Sequence, residues 1–134
     1  MTFNEFIKEI TMAIKKLFLI FAFLCVSMIA LLYGVSPSWF ATTFLAISAL
    51  DPNIAHILRA VMGLYLALGL FWLYAAFHEK QRDTAILTTI IFSAGLVSGR
   101  LLSFLIDGKP SPLLLAYAVV ELSLIPIALF IYRL

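Results

Sequence analysis

Residues 112–132 read PLLLAYAVVELSLIPIALFIY, and between Leu113 and Ile131 the only charged residue is Glu121. A helix of about 20 apolar residues crosses roughly 30 Å of hydrocarbon. The stretch therefore reads as a transmembrane helix. A carboxylate near the middle of such a helix costs on the order of 2.5–3.5 kcal/mol unless it is met by a partner. Glu121 thus demands further helices, and the fold follows from finding them.

The 134 residues are 64% hydrophobic and 12% charged, whereas soluble domains carry about 25% charged residues. A chain this short cannot bury so much apolar surface in one water-soluble core. The formal charge is only +2, and no basic run with interleaved aromatics exists, so nucleic-acid binding is set aside. Cys25 is the sole cysteine. It can form neither an internal disulfide nor a metal cluster, and it reads as a small buried residue. No nucleotide loop, metal triad or nucleophile elbow is present, so neither a cofactor nor a metal is expected.

Residues 1–16 place Phe3, Phe6, Ile7, Ile10 and Ile14 at helical spacing, with Glu5, Lys8, Glu9, Lys15 and Lys16 elsewhere on the wheel. This predicts an amphipathic interfacial helix running into a first span at 17–34. A signal peptide fits less well, because the apolar run is long and no small-x-small cleavage site follows. An outer loop with a short helix occupies 35–52, opened by Ser36-Pro37 and carrying Trp39, Phe40 and Phe44. That segment reads as an aromatic anchor at headgroup level or as a lid over a pocket. Asp51-Pro52 opens a second span (53–77), Asp83 is placed to cap a third (84–106), and Ser111-Pro112 opens the fourth (112–132). Proline after a capping residue is the recurrent start signal. Asp107-Gly108-Lys109-Pro110 reads as a tight turn. The fold class is all-α: a single integral membrane domain, an antiparallel four-helix bundle with a short amphipathic N-terminal helix. Lys8, Lys15, Lys16, Lys80, Arg82 and Arg133 fall on one side and Lys109 on the other. Both termini are therefore expected in the cytoplasm.

Arg59 and Arg100 each lie about 9 Å, and Glu121 about 15 Å, inside their spans, counted from the outer ends at 1.5 Å per residue. An arginine side chain covers the difference, so Arg59, Arg100 and Glu121 are expected to pair. On the second span Asn53, His56, Arg59, Ala60, Gly63 and Ala67 share one stripe. On the third Ser93, Arg100, Ser103 and Asp107 do so, and on the fourth Leu114, Tyr117, Glu121 and Ile125. Tyr117 is placed to donate its hydroxyl to Glu121. The candidate ligand pocket comprises Asn53, His56, Arg59, Arg100, Ser103, Asp107, Tyr117 and Glu121, none of them assigned a catalytic role. A charge network that only docks the helices is the competing reading. Gly95-x-x-x-Gly99 permits close helix approach, within the bundle or in a homo-oligomer.

Tyr33-Gly34-Val35-Ser36-Pro37, the Asn53–Arg59 segment with Gly63-Leu64-Tyr65, Gly99-Arg100 with Ser103, Asp107-Gly108-Lys109-Pro110 and Glu121 carry a resemblance. Together they resemble a family of small bacterial four-span membrane proteins filed as a domain of unknown function, distantly similar to the DoxX-like proteins. The resemblance covers the chain from about Lys16 onward. It implies a four-helix fold in a bacterial inner membrane and no particular reaction. The residues themselves favour a membrane protein that binds a lipid or a small amphipathic, anionic ligand in an outward-facing pocket. A membrane-embedded enzyme, a lipid isomerase or quinone-linked oxidoreductase using Glu121 as acid/base, is a second reading. A small proton-coupled transporter is a third.

Overall fold

The computed structural model describes residues 1–134 and contains helices and no strands. Helix α1 spans Phe3–Gly34, α2 Pro37–Phe44, α3 Pro52–Ala76, α4 Arg82–Ile106 and α5 Pro112–Tyr132, with a single 3₁₀ turn at Glu79–Gln81 before α4. Four of these, α1, α3, α4 and α5, are long and apolar enough to cross a membrane.

Proline stands in the first turn of α2, α3 and α5. Its fixed φ suits the helix, and its missing N–H would have had no partner there. Only Asp51 adds a side-chain cap, its Oδ1 accepting the Asn53 N–H at 2.7 Å. Ser36 and Ser111 make no cap bond, so α2 and α5 begin on proline alone. Asp83 does not cap α4 either. It lies inside the first turn and accepts from Lys15 Nζ at 2.8 Å. The turn between α4 and α5 reverses at Gly108, whose φ of +91° is a left-handed conformation that side chains resist.

The amphipathic N-terminal stretch and the first span form one unbroken helix. Thr2 and Glu5 close a reciprocal cap at its start. At 32 residues, α1 is about 48 Å long. It buries Leu19, Ala22, Val26, Ile29 and Tyr33 against α3 along most of its length. Gly69 makes that contact close: a Cβ there would come within 2.8 Å of Val26 Cγ1. Helix α4 packs along α5 in the same way, and the two pairs touch each other more sparsely.

Three side chains bridge the pairs near the end that holds the N-terminal half of α1. Arg82 donates to the Ala76 carbonyl (2.9 Å and 3.2 Å) and the Met12 carbonyl (3.3 Å). Lys15 binds Asp83, and Trp72 Nε1 donates to Thr88 Oγ1 at 3.0 Å. The Asp83 side chain is 64% exposed but that of Lys15 only 9%, so removing the carboxylate leaves a mostly buried ammonium without its partner. Asp83→Ala should therefore cost on the order of 1–3 kcal/mol in thermal unfolding of the detergent-solubilised protein.

Candidate functional site

At the other end of the bundle, one residue from each long helix meets around a single ion pair. Arg100 on α4 grips Glu121 on α5 with two parallel bonds, Nε to Oε2 at 2.5 Å and Nη2 to Oε1 at 2.9 Å. The planar fork of arginine matches a carboxylate in this two-point manner. Glu121 is 4% exposed and Arg100 23%. Tyr33 of α1 lies beside the guanidinium. Its ring packs edge-on against Tyr117 of α5 at 5.8 Å and Tyr65 of α3 at 6.1 Å. Phe40 of α2 is fully buried against Tyr33 at 4.9 Å, so α2 is fastened over the end of α1. Trp39 next to it stays exposed.

Of the residues expected to share a pocket, Arg100, Tyr117 and Glu121 come together. The Tyr117 hydroxyl is buried without a hydrogen-bond partner and does not reach the carboxylate. Ser103 donates to Asp107 Oδ2 at 2.6 Å on the exposed side of α4. Asn53, His56 and Arg59 are exposed, and Arg59 makes neither an ion pair nor a hydrogen bond. The whole α3 stripe from Asn53 through Ala60, Gly63 and Ala67 faces outward. The buried face of α3 is the one bearing Tyr65, Gly69 and Trp72.

Height explains the rest of the Arg59 discrepancy. Tyr33 touches both Tyr65 and Tyr117. Tyr65 is thirteen residues past Pro52, whereas Tyr117 is five past Pro112. Helix α3 thus begins about 12 Å farther out than α5. Equal counts from helix ends do not mean equal depth. Arg59 sits about 9 Å beyond the tyrosine layer, where its long stem carries the charge to the interface.

Between α3 and the α4–α5 pair lies a half-open cavity of about 650 Å³, whose wall includes the exposed side chains of Leu101, Phe104, Val119 and Leu122. Leu58, Val61 and Tyr65 of α3 form one wall, and α4 and α5 supply the other, including Leu96, Leu114 and Ala118. Gly95 and Gly99 line it with no side chain in the way, and a Cβ at either would meet nothing within 4 Å. Both glycines are exposed, so the pair opens space on the outer face of the bundle and brings no helix close. Arg100, Ser103 and the two tyrosines Tyr33 and Tyr65 give the cavity its polar side. Glu121 is not in the lining; it stands behind Arg100. No residue of α2 lines the cavity, so that helix is not its lid. No group of three or more His, Cys, Asp or Glu side chains is arranged to hold a metal ion.

Tyr33 and Tyr65 were not apparent as site residues from the sequence. Tyr33, near a span end, ordinarily reads as an interfacial anchor, and Tyr65, in mid-span, as an ordinary packing residue. The signal that finds them is helical phase, because both lie on the buried stripes of α1 and α3.

A family model described as Domain of unknown function (DUF4345) matches residues 14–132. The chain belongs to the DUF4345 family. Neither a curated protein nor a solved structure matches it. The family match covers α3, α4 and α5 whole and α1 from Ile14 onward, so the ion pair and the tyrosine layer belong to the family domain.

Proposed function

We propose that this DUF4345 protein is a non-catalytic binder of a lipid-like molecule whose apolar body fills the cavity between α3 and the α4–α5 pair. The observation that carries the reading is the cavity itself: about 650 Å³, mostly apolar, with Arg100 in its wall. A volume in the range of small-molecule sites with a few converging polar groups is the usual form of a binding site.

The chemistry of the wall narrows the ligand. Arg100 is neutralised by Glu121, and Arg59 is elsewhere, so the site has no excess positive charge. The head of the ligand is therefore an uncharged hydrogen-bonding group, a carbonyl or hydroxyl, held by Arg100, Tyr33, Tyr65 and Ser103. A strongly anionic head would lose more hydration than one already paired arginine returns. An acid/base role for Glu121 has no support, because its carboxylate is turned away from the cavity and held by two bonds. The lysine and arginine bias favours both termini in the cytoplasm of a bacterial inner membrane, with the cavity toward the outer side.

Native mass spectrometry of the protein released from membranes in mild detergent tests this. A bound lipid-sized species is expected on the wild type. Gly99→Leu, whose Cβ meets nothing within 4 Å at the cavity wall, should abolish the species with little change in melting temperature. Arg59→Ala should leave it in place. Retention in Gly99→Leu, or no bound species on the wild type, refutes the assignment.

A further inference from the structure

Helix α1 carries two apolar stripes on opposite sides. The inner one packs on α3. The outer one consists of Phe3, Ile7, Ile10, Ile14, Leu17, Phe21, Leu24, Met28 and Leu31, continued by Val35 at the helix cap. All ten are 38–76% exposed. Their spacing alternates four, three, four, three without a break, which is a heptad repeat of about 3.5 residues.

Lipid can cover the part of this stripe inside the membrane. It cannot cover the rest. Hydrocarbon about 30 Å thick takes up roughly 20 of the 32 residues of α1. The excess lies at the charged N-terminal end, so Phe3, Ile7, Ile10 and Ile14 stand outside. Nor can that end fold down onto the bilayer, because α1 is one rigid helix. Lys15 is tied to Asp83, and the Met12 carbonyl accepts from Arg82.

We propose that a second copy of this chain covers the outer stripe, giving a parallel two-fold dimer along α1. Five observations select that occupant. Copies inserted in one membrane share one orientation, so identical α1 helices meet in parallel and in register. Over Phe3–Ile14, where polar residues fill most other positions, the apolar side chains keep the 3.5-residue repeat, and that period holds two helices in contact by a left-handed supercoil. One heptad core column holds Ile7, Ile14, Phe21, Met28 and Val35 and the other Phe3, Ile10, Leu17, Leu24 and Leu31, so β-branched residues predominate in the first and leucine in the second, the division that favours two strands. The positions flanking the seam outside the membrane are Asn4, Phe6, Thr11 and Ala13, so two copies approach without like charges opposing each other. The ten side chains offer on the order of 1,000 Å² per copy, against about 800 Å² per partner in a standard specific interface.

Single cysteines in the full-length Cys25→Ser chain, oxidised in native membranes with copper phenanthroline, test the seam. Disulfide-linked dimers are expected for Ile7→Cys, Ile10→Cys and Ile14→Cys, whose Cα atoms would lie within about 7 Å of their mates. No dimer band is expected for Lys8→Cys or Glu9→Cys. Photobleaching counts in nanodiscs should give two copies for the wild type and one for Ile7→Glu/Ile10→Glu, with unchanged helical circular dichroism. Crosslinking without this periodicity, crosslinking at Gly95→Cys or Gly99→Cys in its place, single copies of the wild type, or two copies of the double variant would each overturn the proposal.

Discussion

Glu121→Ala is expected to destabilise the bundle by about 3–5 kcal/mol, the cost typical of removing one partner from a buried ion pair. The Arg100 guanidinium would be left among Tyr33, Tyr117 and aliphatic neighbours with both of its strong bonds gone. Its position well inside α4 denies it an easy escape to the interface. Arg100→Met/Glu121→Leu should recover most of the loss, because replacing both charges by apolar groups of similar shape removes the desolvation penalty along with the attraction. Reversible unfolding in bicelles, run as a double-mutant cycle, separates the coupling from the single losses. Arg59→Ala in the same assay should stay within about 0.5 kcal/mol, as for an exposed side chain. A Glu121→Ala loss no larger than that of Arg59→Ala would mean that water reaches the pair.

The contrast between these two arginines is also the contrast between what sequence reasoning reached and what it missed. An apolar run of 21 residues with one carboxylate forces a transmembrane bundle and a cationic partner, and Arg100 is that partner. Proline at the first turn marks where α2, α3 and α5 start, because the ring acts locally and needs no tertiary context. Arg59 fails for two non-local reasons. Counting from helix ends assumes that the ends are level, yet α3 begins about 12 Å farther out than α5. A polar stripe, moreover, reports a shared face without saying whether that face turns inward. The glycines follow the same logic. Gly95-x-x-x-Gly99 has the pattern of a packing motif but lines a cavity, while the isolated Gly69 lets α1 and α3 approach. Close packing depends on what stands opposite, and one sequence does not contain that information.

Trp72→Ala should produce the other large effect, near the lower end of the ~3–5 kcal/mol seen for large aromatic truncations in water-soluble cores. The lower end applies because lipid solvates an exposed apolar surface almost as well as the core does, so the loss is mainly packing. Trp72 is 2% exposed and sits where α3 meets α4, its N–H on Thr88 and its ring edge-on to Phe92 at 5.5 Å. Helix α3 otherwise leans on α1, and α4 on α5, so few contacts can compensate. Trp72→Phe keeps most of the ring and loses only the N–H. The Thr88 hydroxyl still donates to the Ala85 carbonyl at 2.7 Å, which limits the cost to about 1 kcal/mol. Thermal unfolding of the three proteins in the same detergent therefore ranks wild type above Trp72→Phe and both well above Trp72→Ala. Equal losses in the two variants would assign the junction between the helix pairs to the single hydrogen bond. The expected gap assigns it to the packed ring.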